Sequence, residues 1–117
     1  MAYVDAFVAA VPTAARDAYH SHAAAAAAVF REHGALQVVE CWGDDVPEGE
    51  TTSLPRAVRR REGETVVVSW VRWESRAARD AGMSKVFADA RLDPAANPMP
   101  FDGKRLIFGG FSVMLDV

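Results

Sequence analysis

Apolar residues run on with little alternation in four stretches of the chain, and recur at helical spacing in two others. Residues 3–11, Tyr-Val-Asp-Ala-Phe-Val-Ala-Ala-Val, are rich in β-branched and aromatic side chains and predict a first strand, ended by Pro12. Its odd and its even positions are both largely apolar, a pattern that a sheet with one wet face does not require. Pro12-Thr13 predicts a helix start with Thr13 as N-cap, and the helix runs to His33 and stops at Gly34. Within it Tyr19, His22, Ala26, Val29, Phe30 and His33 fall on one stripe, and the alanines 23–28 favour helix and allow close approach to a sheet.

Leu36 to Trp42 predicts a second strand, followed by a loop over residues 46–55 and a short irregular element around Ala57-Val58. Residues 65–73, Thr-Val-Val-Val-Ser-Trp-Val-Arg-Trp, carry the strongest strand signal. Glu74-Ser75 opens a second helix with Arg79, Gly82, Met83, Val86 and Ala90 on one side. Pro94, Pro98 and Pro100 then enforce a loop, and residues 105–114 form a last strand in which Gly109-Gly110 signals a bulge or a close backbone approach.

The order β-α-β-β-α-β with right-handed crossovers predicts one ferredoxin-like α+β domain spanning residues 1–117. Its four-stranded antiparallel sheet has both helices on one face and spatial order 4-1-3-2, with the first and third strands expected as a parallel pair. Strands apolar on both sides leave the second sheet face in need of cover. A second copy of the chain, sheet against sheet, supplies it in the arrangement of a dimeric α/β barrel.

Composition narrows the functions. The chain has 117 residues, 50% of them hydrophobic, and a net charge of −3, the wrong sign for a nucleic-acid binder. The arginines 56, 59, 60 and 61 are followed by Glu62 and Glu64 and read as a solvated loop. One cysteine, Cys41, excludes an intrachain disulfide and a cysteine zinc cage, and beside Trp42 it is expected to be a buried, inert thiol. No basic leader opens the chain, and its longest apolar run is far short of a membrane span, so a cytoplasmic protein without membrane contact is expected. His22 and His33 lie about 16 Å apart along the helix axis, too far to share a metal, so neither metal nor cofactor is expected.

Three stretches carry a resemblance to a known family: Tyr3-Val4-Asp5-Ala6-Phe7-Val8, residues 39–49 (Val-Glu-Cys-Trp-Gly-Asp-Asp-Val-Pro-Glu-Gly), and Met99-Pro100-Phe101-Asp102-Gly103-Lys104-Arg105. With Ser69-Trp70 and Arg79-Asp80 they resemble the YbaA-like family, small bacterial proteins of unknown function. Glu74, where the family commonly has proline, and Ala90 depart from its pattern. The resemblance implies the dimeric α/β barrel superfamily, which holds cofactor-free monooxygenases, haem-handling proteins and small-molecule binders, and it carries no catalytic residue with it.

No P-loop, dinucleotide fingerprint, metalloprotease or nucleophile-elbow motif is present. The candidate pocket residues are polar groups on otherwise apolar elements: Asp5 and Glu40 in mid-strand, His22 and Arg79 on the helix stripes, and Trp70 as an aromatic wall. Each also has a plain structural reading as a paired, core or interface residue. Two functions follow. One is a homodimeric small-molecule-binding domain, with a cofactor-independent monooxygenase-like enzyme as its catalytic form. The other is a non-enzymatic interaction or stress protein whose apolar sheet face only dimerises. A cavity holding several polar groups favours the first, and a filled interior favours the second.

Overall fold

The computed structural model describes all 117 residues. Ten-residue β1 (Tyr3–Pro12) leads through a single 3₁₀ turn into α1 (Arg16–Glu32), then β2 (Gln37–Trp42), the one-turn α2 (Leu54–Ala57), β3 (Glu64–Trp73), α3 (Arg76–Ala88) and β4 (Ile107–Ser112). The result is an α+β fold with a four-stranded antiparallel sheet in the order β2-β3-β1-β4 and three helices.

The expected parallel pair of first and third strands is not formed. β1 and β3 are antiparallel over the whole register from Tyr3↔Trp73 to Pro12↔Glu64. The cause is topological: the β1-α1-β2 crossover leaves β1 and β2 running the same way with one strand's gap between them. β3, joined to β2 as its antiparallel neighbour, fills that gap and so opposes both.

The two sheet faces follow from strand alternation. Odd residues of β1 (Tyr3, Asp5, Phe7, Ala9, Val11) lie opposite Trp73, Val71, Ser69, Val67 and Thr65 of β3. This face meets α1 and α3, which also touch each other. Val29 of α1 and Val86 of α3 are buried, and Phe30 and Met83 pack on the cluster of Tyr3, Val71 and the fully buried Trp73. The even residues Val4, Ala6 and Val8, with Val68, Trp70, Val39, Ile107 and Phe111, form the second face. Only one end of it is covered, where Val58 after α2 packs on Ala10 and Val66.

Local signals explain most boundaries. Ser75 caps α3 by accepting from the Ala78 amide at 3.1 Å. Gly34, at φ +107°, takes the left-handed conformation that ends α1. Thr13 does not cap α1; its hydroxyl bonds the Thr65 hydroxyl at 2.7 Å, because the chain stays paired through Pro12 and turns late. Ala90 lies beyond α3, in a 3₁₀ turn that follows Asp89. Gly109-Gly110 makes no bulge, since β1 and β4 keep continuous register. It is a close approach instead, for a Cβ on Gly110 would collide with the Arg79 guanidinium and the Tyr3 hydroxyl. Cys41 is exposed, not buried, because its strand position turns it to the uncovered face.

Gly82 sets how closely α3 approaches the sheet. A Cβ there would run into the Trp73 ring and stand 2.6 Å from the His33 carbonyl oxygen. In an exposed helix, glycine to alanine gains about 1 kcal/mol, whereas overpacking a full core costs about 1–3 kcal/mol. Gly82→Ala is therefore expected to destabilise, and a denaturant melt showing a gain would contradict this packing.

Candidate functional site

Between the helices and the sheet lies a cavity of about 690 Å³, lined by 25 residues of which 18 are hydrophobic. Its floor is the helix-facing side of the sheet, with Phe7, Ala9, Val38, Glu40, Val67 and Ser69. Its wall is the α1 stripe of Tyr19, His22, Ala23, Ala26 and Phe30. Ala23, Ala26 and Ala27 leave the room, each giving the wall no more than a methyl group. The third side is the segment after α3, from Asp89 through Asn97 to Phe101 and Leu106.

That segment is fastened at three points. Asp89 accepts from His33 at 3.0 Å and from Arg91 at 2.8 Å, and Arg91 also pairs with Glu32. Hydrogen bonding from Arg91 and His33 holds the Asp89 carboxyl far below the usual carboxylate range. In the middle, Asn97 meets His22 twice: its Oδ1 lies 3.1 Å from the imidazole Nδ1, and its amide donates to the His22 carbonyl at 3.2 Å. At the end, Arg105 grips Glu64 at 2.6 and 2.7 Å and Asp102 at 3.0 Å. These bonds pull the Glu64 carboxyl down to about 2.

The polar focus of the cavity is Glu40. It stands on the edge strand β2 directly opposite Ser69 and stays open to solvent. Tyr19 donates its hydroxyl to the Glu40 carboxylate. Partial desolvation pushes the Glu40 carboxyl up, against the hydrogen bonds from Tyr19 and Ser69 that pull it down. Desolvation and the adjacent carboxylate drive the Tyr19 phenol far above its usual value, so it acts as a hydrogen-bond donor at neutral pH. Aromatic rings surround the pair: Tyr19 lies 6.3 Å from Trp42 and 5.8 Å from Phe101, and His22 lies 6.2 Å from Phe101. A smaller hollow of about 270 Å³ adjoins on the β2 side and shares Tyr19 and Glu40.

The five candidate residues separate into three places. Glu40 and His22 line the same cavity. Asp5 and Arg79 form a distinct cluster between β1, β3 and α3: the guanidinium Nε is 3.3 Å from Asp5, and the Trp73 indole donates to the same carboxylate at 3.0 Å. Arg79 also donates to the Tyr3 hydroxyl at 3.1 Å and to Asp80 at 2.9 Å, and lies 4.8 Å from the Tyr3 ring centroid. Trp70 is on the opposite sheet face. Reading the residues had not assigned Ser69, Asn97 or Tyr19 to a site. Tyr19 was visible on the α1 stripe and Ser69 as a hydroxyl amid valines, but nothing in a proline-rich loop signals that Asn97 reaches back to α1.

No group of three or more His, Cys, Asp or Glu side chains converges to hold a metal ion. No helix is long and apolar enough to cross a membrane.

The pattern of a family described as "Protein of unknown function (DUF1428)" matches residues 2–103 of the chain. Relatives described as "Uncharacterized protein YbaA", from Escherichia coli (strain K12) and Shigella flexneri, are each 49% identical over 116 residues, covering 99% of this chain and 99% of theirs. The resemblance read from residues 3–8, 39–49 and 99–105 is thus carried by the whole chain, and none of these descriptions assigns an activity.

Proposed function

The chain belongs to the DUF1428 family of proteins of unknown function, and from its own geometry we propose that it is a homodimer that binds a small, largely apolar molecule between helices and sheet. The observation that carries this reading is the cavity itself. At about 690 Å³ it falls in the range of small-molecule sites. It also joins an apolar lining to a few convergent polar groups, Glu40, Tyr19, His22, Ser69 and Asn97. An interaction protein needing only its outer sheet face has no use for an apolar cleft of this size between its helices and sheet. The sheet order and the two helices on one face support a ferredoxin-like domain, and the apolar second face supports its pairing into a dimeric α/β barrel in the cytoplasm. A catalytic, cofactor-independent form of the site would use Glu40 as its base, because it is the carboxylate set among the aromatic rings.

The test uses a neutral probe, N-phenyl-1-naphthylamine, whose fluorescence rises on entering an apolar site. The wild-type protein is expected to bind it saturably. Ala26→Phe, which fills the cavity from α1, is expected to abolish the signal, while Cys41→Ser on the outer face leaves it unchanged. Binding that survives Ala26→Phe would place the probe elsewhere and defeat the reading.

A further inference from the structure

Resting on the cavity reading above, we infer that the ligand is a lipophilic amine, bound with its ammonium group on Glu40 beside the rings of Tyr19 and Phe101 and its apolar body along the alanine stripe of α1. The charges around the cavity point this way. No lysine or arginine lines it, while three carboxylates do: Glu40, Asp89 and Asp93. An anionic ligand would meet two carboxylates without a cationic partner, Glu40 and Asp93, and no lysine or arginine in the lining.

The three carboxylates are not equivalent. Asp89 is already paired with Arg91 and hydrogen-bonded to His33. Asp93 makes no ion pair either, but it belongs to an exposed turn, where it accepts from the Ala95 amide at 3.0 Å, whereas Glu40 is tied into the ring cluster through Tyr19. Glu40 receives the Tyr19 hydroxyl and makes no ion pair. A carboxylate offers about four lone-pair positions, so one neutral donor leaves room for an N–H donor. A charged donor there forms a charge-assisted bond that a hydroxyl cannot match.

The rings supply the second half of the recognition. Aromatic rings attract an ammonium over their electron-rich faces, and here the Phe101 ring is tilted against Tyr19 beside a carboxylate. The Trp42 face already holds the chain's own cation, the Arg16 guanidinium 5.5 Å from its ring centroid on the side of the smaller hollow, which leaves the rings of Tyr19 and Phe101 on the cavity side. Arg16 makes no ion pair with Glu40, so the chain leaves that carboxylate, in the cavity that Tyr19 and Phe101 also line, without a cation of its own.

A matched series separates this inference from the cavity reading: 1-naphthylmethylamine, 1-naphthylmethanol and 1-naphthoic acid, titrated calorimetrically into the intact protein. The amine is expected to bind about tenfold or more tightly than the alcohol, and the acid weakest of the three. Glu40→Gln keeps an acceptor for Tyr19 and should erase the amine's advantage while leaving the alcohol's affinity in place, which also shows that the variant is folded. Equal binding of amine and alcohol by the wild type overturns the amine and leaves the cavity standing. An amine preference that persists in Glu40→Gln overturns the assignment to Glu40. Failure of all three to bind overturns both.

Discussion

Arg79→Met is expected to cost about 3 kcal/mol or more at neutral pH, a fall in Tm on the order of 10 °C for a domain of this size. Asp5 is 6% exposed and has one cation within ion-pairing distance, Arg79. Burial already pushes the Asp5 carboxyl up, because desolvation outweighs the pull of Arg79 and of the Trp73 indole. Methionine keeps much of the arginine's apolar bulk but takes away that compensation, so the carboxylate is left with a single neutral donor. The pH dependence fixes the cause. An acid whose folded pKa lies above its unfolded value binds more protons in the folded state, so stability falls as pH rises through the interval from 3.8 upward. Removing Arg79 moves the folded value higher still, and the variant's deficit should therefore shrink as the pH is lowered. Adding Asp5→Asn to Arg79→Met should recover much of the loss at pH 7. Asp5→Asn alone should cost less than Arg79→Met, since Arg79 retains Asp80 and Tyr3. A deficit that is the same at every pH, with no rescue by Asp5→Asn, would show that the arginine acts through packing alone.

The strands and helices were legible because their residues obey local rules that no distant contact overrides. β3 is a run of valines and tryptophans bounded by Gly63 and by Ser75; it starts one residue earlier than expected, at Glu64, and ends at Trp73 as expected. What local pattern could not give was direction and depth. The orientation of β1 against β3 depends on how a crossover and its neighbouring strand interleave, which no single segment encodes. Cys41 reads as buried because it sits between Glu40 and Trp42 in an apolar strand, yet strand alternation turns it outward on a face that this chain leaves open. For the site, chemistry-bearing residues were visible but their grouping was not. Asp5 and Glu40 look alike in sequence, each a carboxylate amid apolar neighbours. The register places one under α3 beside an arginine and the other on an edge strand facing alanines. The same alternation that faces Glu40 into the cavity sends Trp70 away from it. Even the closing segment follows this division: its turns are announced by proline, whereas its attachment through Asn97 and His22 spans 75 positions.

Val68→Asp is expected to convert the protein from a dimer to a monomer. Light scattering at micromolar concentration should give twice the 12.7 kDa chain mass for the wild type and the single chain mass for the variant. Val68 lies at the middle of the outer sheet face, paired with Val8 on one side and Cys41 on the other. Around it Val4, Ala6, Trp70 and Val39 are half-buried, while Ile107 is 41% and Phe111 59% exposed. A contiguous face of this kind in contact with water forgoes roughly 25 cal/mol for each Å² of apolar surface that a partner would remove, and a second copy brings an identical face to meet it. An aspartate at the centre would then appear twice near the symmetry axis, adding the desolvation of two like charges to the loss of apolar contact. The substitution leaves the helix-facing side of the sheet untouched, so the monomer should keep its cavity. Binding of N-phenyl-1-naphthylamine by the monomeric variant would show that each chain forms the site alone, and loss of binding with retained helical circular dichroism would show that the partner helps to close it. A wild-type protein that is already monomeric at this concentration would contradict the face-to-face arrangement and leave the apolar face for another partner.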